Sequence, residues 1–443
     1  MTLRIYDSKT AGLRDFTPIV AGKVGMYVCG PTVQSAPHVG HLRSAVAFDI
    51  IANWLRAGHG YEVKLVRNVT DIDDKILVNA AEQGRDWRQL AVEVEAIFNS
   101  VYDSIGAGVE HAPHATAHIG GMIAIIERLI AAGHAYQAAG SANVFFDTAS
   151  WPNYGELTRQ KLENMEGEAI GGGRRAAHDF ALWKAAKTSE PETAAWDSPW
   201  GRGRPGWHIE CSAMTLAELG ENFDIHGGGL DLRFPHHENE LAQSAAAGYA
   251  FANYWMHNGL VTVNGQKMSK SLGNGVSVAE FFEQGSPQAV RYWLGSAQYR
   301  STLDYSTSAI AEAEAAVSRI TNFMARNQSS PGSVPAEFAE AMDADFNVPA
   351  ALAVLHDRVR AGNSGDASAA AEVWAMAEVL GIKPASASVD GELAAKVEAL
   401  IEERKSARAN RDFARSDAIR DELNLLGVTI EDTANGTTWS ING

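Results

Sequence analysis

Two cysteines, a histidine and a glutamate in this sequence could together bind a metal ion. Cys29 and Cys211 each follow an apolar or aromatic run, beside turn residues. His236 and Glu240 are four residues apart after Pro235, so on a helix they would share one face. Soft thiolate ligands favour zinc over magnesium or calcium. A solvated helix face and two small buried thiols explain the same residues, and spacing alone does not decide because the ligands come from three distant segments.

Two further segments carry residues that suit phosphate. His38, Gly40 and His41 stand where a helix is predicted to begin, and helix N-termini attract anions through free N–H groups and a partial positive charge. The polar loop around Lys267 and Lys270 offers two cations that could neutralise a triphosphate as pyrophosphate leaves. Each segment alone is also typical of a structural loop. Their combination indicates nucleotide chemistry.

The elements that must position these residues begin with a βαβ unit. Val24–Cys29 and Tyr61–Val69 are apolar runs typical of buried parallel strands, and Val39–Arg56 between them has helical periodicity. Ligands of open parallel sheets bind beyond the carboxyl ends of the strands. Cys29-Gly30 and Thr70-Asp71 would both lie there.

Further along the chain the pattern changes from mixed to helical. A short strand is predicted at Phe223–His226, ending in the glycine run Gly227–Gly229. Residues 307–385 are Ala-rich and helical in pattern. From about Gly391 we predict two helices and a pair of strands, Val428–Glu431 and Thr437–Ile441.

Composition excludes several classes of protein. With 46% hydrophobic and 21% charged residues in 443, the chain has enough apolar material for folded domains. A net charge of −17 argues against a protein that coats nucleic acid indiscriminately. Two cysteines can form at most one disulfide, so the fold of a chain of this length does not depend on disulfide bonds. With no apolar run as long as a bilayer span and no secretory signal in Met1–Thr10, we expect a cytoplasmic protein with no membrane partner, and a monomer.

The nucleotide and metal segments resemble a known family. His38-Val39-Gly40-His41 resembles the HIGH motif of class I aminoacyl-tRNA synthetases, and Lys267–Ser271 matches their KMSKS motif. Within that class, the chain is similar to cysteinyl-tRNA synthetases over nearly its whole length. The segments that carry this resemblance are Met26–Thr32, Asn68–Lys75, Gly206–Cys211 and Phe234–Glu240.

This resemblance implies an α/β fold built around a Rossmann-type parallel sheet and divided by an insertion. The implied domains are a catalytic domain at 1–130 and 200–260, a connective insertion at 131–199, a KMSKS-loop and stem-contact region at 261–306, a helical bundle at 307–390, and a small C-terminal α+β anticodon-binding module at 391–443.

The resemblance also implies a two-step reaction. L-Cysteine attacks the α-phosphate of ATP, used with Mg²⁺, and the cysteinyl group of the adenylate then passes to the terminal adenosine of tRNA(Cys). One zinc ion would be held by Cys29, Cys211, His236 and Glu240, and would select the thiolate of the substrate. The other implied site residues are His38, His41, Lys267 and Lys270 for catalysis, His38, Gly40, His41, Asp231 and Lys270 for ATP, and Gly30, Thr70, Trp207 and His226 for cysteine.

The C-terminal end carries a local positive charge. Five basic residues against one acid give 404–415 a net charge of +4, which suits contact with phosphate. Phe413 could stack a splayed base and Asp417 could accept from a base edge. By motif position, the resemblance adds Arg408 and Asp432 as anticodon contacts. A solvated helix with Phe413 packed inward is the alternative.

Two other functions remain open from the sequence. A related ATP-dependent ligase joins cysteine to an amino sugar with the same adenylation core, but Asp73-Asp74-Lys75 and the anticodon-like tail argue against it. A non-catalytic zinc protein that binds RNA or senses thiols would need neither the histidine pair nor the lysine pair.

Overall fold

A computed structural model describes residues 2–165, 167, 170–263, 265–267, 276–383, 391–410, 412–426, 428–433 and 436–441, with backbone only for 267, 391–395, 424–425, 429, 431–433, 436 and 438–441. The chain forms two compact units, Met1–Ile382 and Lys383–Gly443.

Strands and helices are numbered in chain order within the described residues. The strands are β1 (Arg4–Asp7), β2 (Gly12–Asp15), β3 (Lys23–Val28), β4 (Glu62–Arg67), β5 (Ala135–Gln137), β6 (Val144–Phe146), β7 (Phe180–Ala185), β8 (Gly203–Pro205), β9 (Asn222–Gly229), β10 (Phe251–Asn258), β11 (Val261–Val263), β12 (Gln266–Lys267), β13 (Leu303–Tyr305), β14 (Val428–Thr433) and β15 (Gly436–Ile441). The α-helices are α1 (Val39–His59), α2 (Asp74–Glu82), α3 (Trp87–Ser104), α4 (Ile119–Ala131), α5 (Trp207–Leu219), α6 (Glu238–Ala246), α7 (Val278–Gln284), α8 (Pro287–Ser296), α9 (Thr307–Arg326), α10 (Ala336–Asp343), α11 (Val348–Asn363), α12 (Ala369–Leu380), α13 (Gly391–Ala409) and α14 (Phe413–Leu425).

Four parallel strands form the central sheet, in the order β10-β9-β3-β4. The chain crosses from β3 to β4 through α1 and from β9 to β10 through α6, which gives two βαβ units. The two predicted strands and the predicted helix of the first unit are confirmed. A parallel sheet of this kind gathers the residues that follow its strands at one edge.

The glycine run of β9 corrects one prediction. We expected Gly227–Gly229 to end the strand, but these residues continue it and pair with Met256–Asn258 of β10. The reason is space, because a Cβ atom on Gly227 would come within 2.3 Å of the Phe48 ring on α1. Glycine here allows α1 to pack closely on the sheet.

An antiparallel sheet is inserted between α4 and α5, with strand order β5-β6-β7-β8. It ends at Pro205, beyond the boundary that we placed at residue 199, because Trp183 of β7 pairs with Pro205 of β8. Helices α8 to α12 then pack against one another. The strands β11, β12 and β13 form a small sheet, to which β13 is added from between α8 and α9.

The second unit contains two helices and a hairpin. Helices α13 and α14 pack together, and β14 pairs with β15 in antiparallel fashion, as predicted. Its core consists of Val397, Leu400, Ile419, Leu423 and Val428. Among the described residues, no helix combines the length and apolar character that crossing a bilayer requires.

Candidate active site

The four residues predicted to bind a metal converge at the carboxyl edge of the central sheet. Cys29 follows β3, Cys211 lies in α5, and His236 and Glu240 flank the start of α6. All four are buried, and their ligand atoms lie within 4.8 Å of one another. The Sγ atoms of the two cysteines are 3.8 Å apart, Cys29 Sγ is 3.4 Å from Glu240 Oε1, and His236 Nε2 is 3.0 Å from the same oxygen.

This cluster has the size and donor set of a zinc site. Two sulfurs bound at about 2.3 Å to one tetrahedral zinc stand about 3.8 Å apart, which is the observed separation. Burial raises the pKa of both the Cys29 and Cys211 thiols. Thiolates therefore need a nearby cation, and a divalent metal supplies one.

Glu240 is held in its charged form by two imidazoles. Burial alone would raise the pKa of this carboxyl, but His226 and His236 keep it below its ordinary value. His226 Nε2 lies 2.8 Å from Glu240 Oε2, so the oxygen that faces away from Cys29 is also engaged. Both atoms are fully buried.

Sequence reasoning missed a second group of histidines behind the cluster. His226 and His237 form an alternative set of metal-ligating atoms with Cys29 and Glu240. His237 Nδ1 lies 2.9 Å from His257 Nε2, and His257 Nδ1 lies 2.8 Å from Ser8 Oγ. Burial lowers the pKa of His257 to about 3 and that of His237 well below its ordinary value, so both are neutral at pH 7. The adjacent histidines His236 and His237 were the feature of the sequence that could have indicated this group.

Two more residues that the sequence analysis missed connect the start of α6 to the insertion through hydrogen bonds. Glu238 accepts hydrogen bonds from the backbone N–H groups of Gly155 (2.9 Å) and Thr158 (2.8 Å), and from the Thr158 hydroxyl (2.9 Å). The Tyr154 hydroxyl donates to Asn239 Oδ1 over 2.5 Å. The segment Tyr154–Thr158 thus holds the turn of α6 that lies between His236 and Glu240.

The residues predicted to contact cysteine adjoin the metal cluster. Trp207 stacks on His236, one of the candidate metal ligands, with ring centroids 4.1 Å apart. Gly30 donates its N–H to Asn68 Oδ1 (2.8 Å), and a Cβ atom at Gly30 would lie 1.8 Å from the Asn68 carbonyl oxygen. Asn68 Nδ2 reaches Thr70 Oγ1 over 3.4 Å. Asn68 therefore links Gly30 to Thr70, and His226, the fourth predicted contact, is already bonded to Glu240.

The histidine pair forms the N-terminus of α1. His38 is the N-cap, and its Nδ1 accepts from the N–H of Gly40 (3.2 Å). The N–H of His38 donates to His41 Nδ1 (3.1 Å), and the two rings stack with centroids 3.8 Å apart. A Cβ atom at Gly40 would lie 3.0 Å from His38 Cε1, so glycine leaves room for the folded-back ring. Burial is the main cause that lowers the pKa of His41 to about 3, and the neighbouring His38 contributes to this lowering.

Among the remaining predicted ATP contacts, Asp231 is described, whereas the lysine loop is described only in part. Lys267 lies on β12, whose backbone pairs with Thr262 of β11, and Lys270 lies outside the described residues. Ser277, just beyond the loop, forms an antiparallel bridge with His38. This bridge brings Ser277 to the histidine turn. Asp231 is exposed, just after β9 at the carboxyl edge of the sheet.

Three of the four predicted anticodon residues have exposed side chains. Arg408 and Asp417 are exposed and the Phe413 side chain is 62% exposed, so this ring does not pack inward. The backbone of Asp432 lies on β14. Of the five basic residues that give 404–415 its net charge of +4, Arg404 is buried, so its guanidinium is not available at the surface.

Two other basic residues of that segment are paired with acids. Lys405 lies 3.2 Å from Glu402, and Arg415 lies 2.8 Å from Glu403. Both glutamates precede the window 404–415 over which we counted charge.

Family models match three parts of the chain. A model described as "tRNA synthetases class I (C) catalytic domain" matches residues 15–315, a DALR domain matches 337–383, and a "Cysteinyl-tRNA ligase anticodon binding domain" matches 390–439. The fold agrees, since a Mycobacterium tuberculosis methionyl-tRNA synthetase with methionyl-adenylate superposes with a TM-score of 0.56 at 17% identity, covering 84% of this chain and 93% of that one. The chain belongs to the class I tRNA synthetases.

Curated relatives identify the family within this class. The cysteine–tRNA ligase of Clavibacter sepedonicus is 56% identical, and that of Leifsonia xyli subsp. xyli is 55% identical; each match covers 100% of both chains. The protein is thus a member of the cysteine–tRNA ligase family.

Proposed function

We propose that this chain activates L-cysteine with ATP and Mg²⁺ to cysteinyl-adenylate, and transfers the cysteinyl group to the 3′-terminal adenosine of tRNA(Cys). The observation that carries the proposal is the thiol-containing cluster at the sheet edge from which α1 and its histidine turn also begin. Membership of the cysteine–tRNA ligase family supports the same reaction.

In this proposal Cys29, Cys211, His236 and Glu240 hold one zinc ion. Bound zinc would supply a soft Lewis acid that takes the substrate side chain as a thiolate. Shape alone separates near-isosteric side chains by only about 1–3 kcal/mol, and serine differs from cysteine by one atom. The cluster therefore supplies the discrimination that a pocket of Gly30, Thr70, Trp207 and His226 lacks by shape.

The histidine turn is built to donate hydrogen bonds to an oxyanion. Because Nδ1 of His38 and Nδ1 of His41 each accept from a backbone N–H, the proton of each neutral ring sits on Nε2. Two Nε2–H donors at a helix N-terminus suit the charge that develops on the α-phosphate. Lys267 and Lys270 would hold the departing pyrophosphate, Gly40 would admit the nucleotide, and Asp231 would bind the ribose hydroxyls.

Recognition of tRNA(Cys) is assigned to the second unit, with Arg408, Phe413, Asp417 and Asp432 contacting the anticodon. The exposed Phe413 ring favours base stacking over core packing. We assign the protein to the cytoplasm, as a monomer, with no membrane partner.

ATP–pyrophosphate exchange tests the activation step. We expect exchange with cysteine, little with serine, and loss of the cysteine-dependent rate after metal chelation, restored by zinc. Transfer is tested separately with two acceptors, tRNA(Cys) and a glucosaminyl-inositol. Exchange that leads only to the amino sugar contradicts the tRNA assignment, and a chelated enzyme that still prefers cysteine to serine contradicts the role of zinc.

A further inference from the structure

Tyr27 lies on the same face of β3 as the metal cluster. Side chains alternate along a strand, so Tyr27 and Cys29 point to the same side of the sheet. Tyr27 stands opposite His226 in the register of β3 and β9, and the two ring centroids are 5.5 Å apart. The Tyr27 side chain is fully buried.

The hydroxyl of Tyr27 is a buried donor that makes no hydrogen bond of good geometry. Within the described residues its oxygen has no well-aligned partner, although it is removed from solvent, and most buried hydroxyls in folded proteins are satisfied. Burial is the main cause that raises the pKa of this phenol well above its ordinary value. Cys211, Cys29 and Glu240 raise this pKa further, and a side-chain hydrogen bond to Cys211 is among these contributions.

These neighbours become strong acceptors when they bind a metal. Thiols are weak hydrogen-bond acceptors, whereas a metal-bound sulfur is a thiolate and takes a charge-assisted hydrogen bond. The donor is thus placed where an acceptor forms when zinc binds.

We propose that Tyr27 is a positioning residue of the metal centre, whose phenol O–H donates a hydrogen bond to the zinc-bound thiolate of Cys211. The inference rests on the proposed function. Four protein ligands usually mark a closed structural zinc site, whereas substrate selection needs a zinc that accepts one more sulfur. A hydrogen bond that draws negative charge from the Cys211 thiolate leaves the metal more electrophilic toward the substrate thiolate.

The variant Tyr27→Phe removes the donor and keeps the ring. Loss of such outer-shell partners typically weakens metal binding about 10–100-fold. We expect that range for zinc measured by competition with a chromophoric chelator, and a higher KM for cysteine with a smaller change in kcat. In the cobalt-substituted protein, we expect the thiolate-to-metal absorption band to shift relative to the parent.

Tyr254→Phe is the matched control. Tyr254 is a buried tyrosine of the same sheet, next to the residue that pairs with His226, and its hydroxyl donates to the Asp15 carbonyl oxygen over 2.9 Å. Its removal is expected to lower stability without changing zinc affinity or the cobalt spectrum.

The outcomes separate this inference from the proposed function. A parent protein that binds no zinc overturns the proposed function itself. A parent that binds zinc, with a Tyr27→Phe variant of equal zinc affinity and cobalt spectrum, overturns only the role of Tyr27. If Tyr27→Phe does not fold, 3-fluorotyrosine at position 27 serves instead. Its more acidic phenol should tighten zinc binding, and an unchanged affinity would contradict the hydrogen bond.

Discussion

Glu240 shows at the scale of single residues how the cluster differs from an ordinary structural zinc site. Its Oε1 faces Cys29 and His236, while its Oε2 faces His226. A carboxylate shared in this way has competing partners on both oxygens. It is the ligand that the metal would release most readily when a substrate sulfur arrives.

Replacing Cys211 by serine should abolish tight zinc binding. The hydroxyl has a much higher pKa than a thiol and is a poor ligand for a soft cation. We expect a zinc content below one tenth of the parent by elemental analysis, and a matching loss of cysteine-dependent exchange. Met214→Leu is the control, because it conserves volume at a buried position of the same helix. Full zinc content in the serine variant would remove Cys211 from the ligand set.

Replacing His41 by asparagine should slow activation without changing its pH dependence. The folded-state pKa of about 3 lies below the ordinary value, so His41 is neutral at pH 5–8 and charges only as pH falls toward 3. Losing one donor to a developing oxyanion costs about 10²–10³-fold in rate. Pyrophosphate-exchange rates from pH 5.5 to 8 should give parallel profiles for parent and variant. An inflection near neutral pH that disappears in the variant would show that His41 titrates there.

At the scale of elements, the insertion and the start of α6 form one structural unit. Glu238 and Asn239 receive the hydrogen bonds of Tyr154–Thr158, and they lie between two of the candidate ligands. Helix α1 is anchored in a similar way. The buried Arg43 donates to the carbonyl oxygens of Leu294 and Gln298, which joins α1 to the end of α8 and to the segment that follows it.

Replacing Glu238 by glutamine should weaken both stability and zinc affinity. The amide places an N–H₂ group against the N–H donors of Gly155 and Thr158, and an unsatisfied buried group costs about 1–3 kcal/mol. Urea unfolding and chelator competition measure the two effects. Glu163→Gln is the control, since Glu163 is exposed in its ion pair with Lys161 and such pairs contribute little. Equal zinc affinity in parent and Glu238→Gln would mean that the contact is structural only.

At the scale of the whole molecule, the two compact units have separate tasks in the proposed reaction. The first holds the metal cluster and the histidine turn, and the second holds the predicted anticodon residues. Activation needs only the first, whereas charging needs both.

A chain that ends at residue 390 should therefore keep cysteine-dependent exchange and lose tRNA charging. We expect exchange within about twofold of the parent, because a change below 0.5 kcal/mol is typical where no site residue is altered. Aminoacylation of tRNA(Cys) should fall at least tenfold. Charging at the full rate by the shortened chain would refute the role of the second unit.

The buried histidines predict loss of stability in acid. Desolvation lowers the pKa of His257 to about 3 and that of His237 well below its ordinary value, whereas histidines of the unfolded chain titrate near 6.5. Below that value the unfolded state binds more protons, so stability is present above pH 6.5 and falls toward pH 3 by about 1.4 kcal/mol per pH unit per histidine. Urea midpoints of metal-free protein from pH 7.5 to 4.5 test this slope. A flat profile would mean that these rings bind protons equally in the folded and unfolded states.

The sequence by itself determined the local features of this protein. Apolar periodicity predicted β3, α1 and β4, and the spacing of His236 and Glu240 predicted that they would share a face, because both properties depend on neighbours within a few residues. The HIGH and KMSKS resemblances likewise reside in short continuous segments, and they led to the family.

Only the tertiary structure decided what depends on contacts between distant segments. It brought Cys29, Cys211 and the start of α6 together, placed Glu238 against the insertion, and put Arg404 in a buried position. No local sequence pattern encodes these outcomes. The distances between the candidate ligands and the burial of a charged side chain depend on chain topology and on close packing between elements.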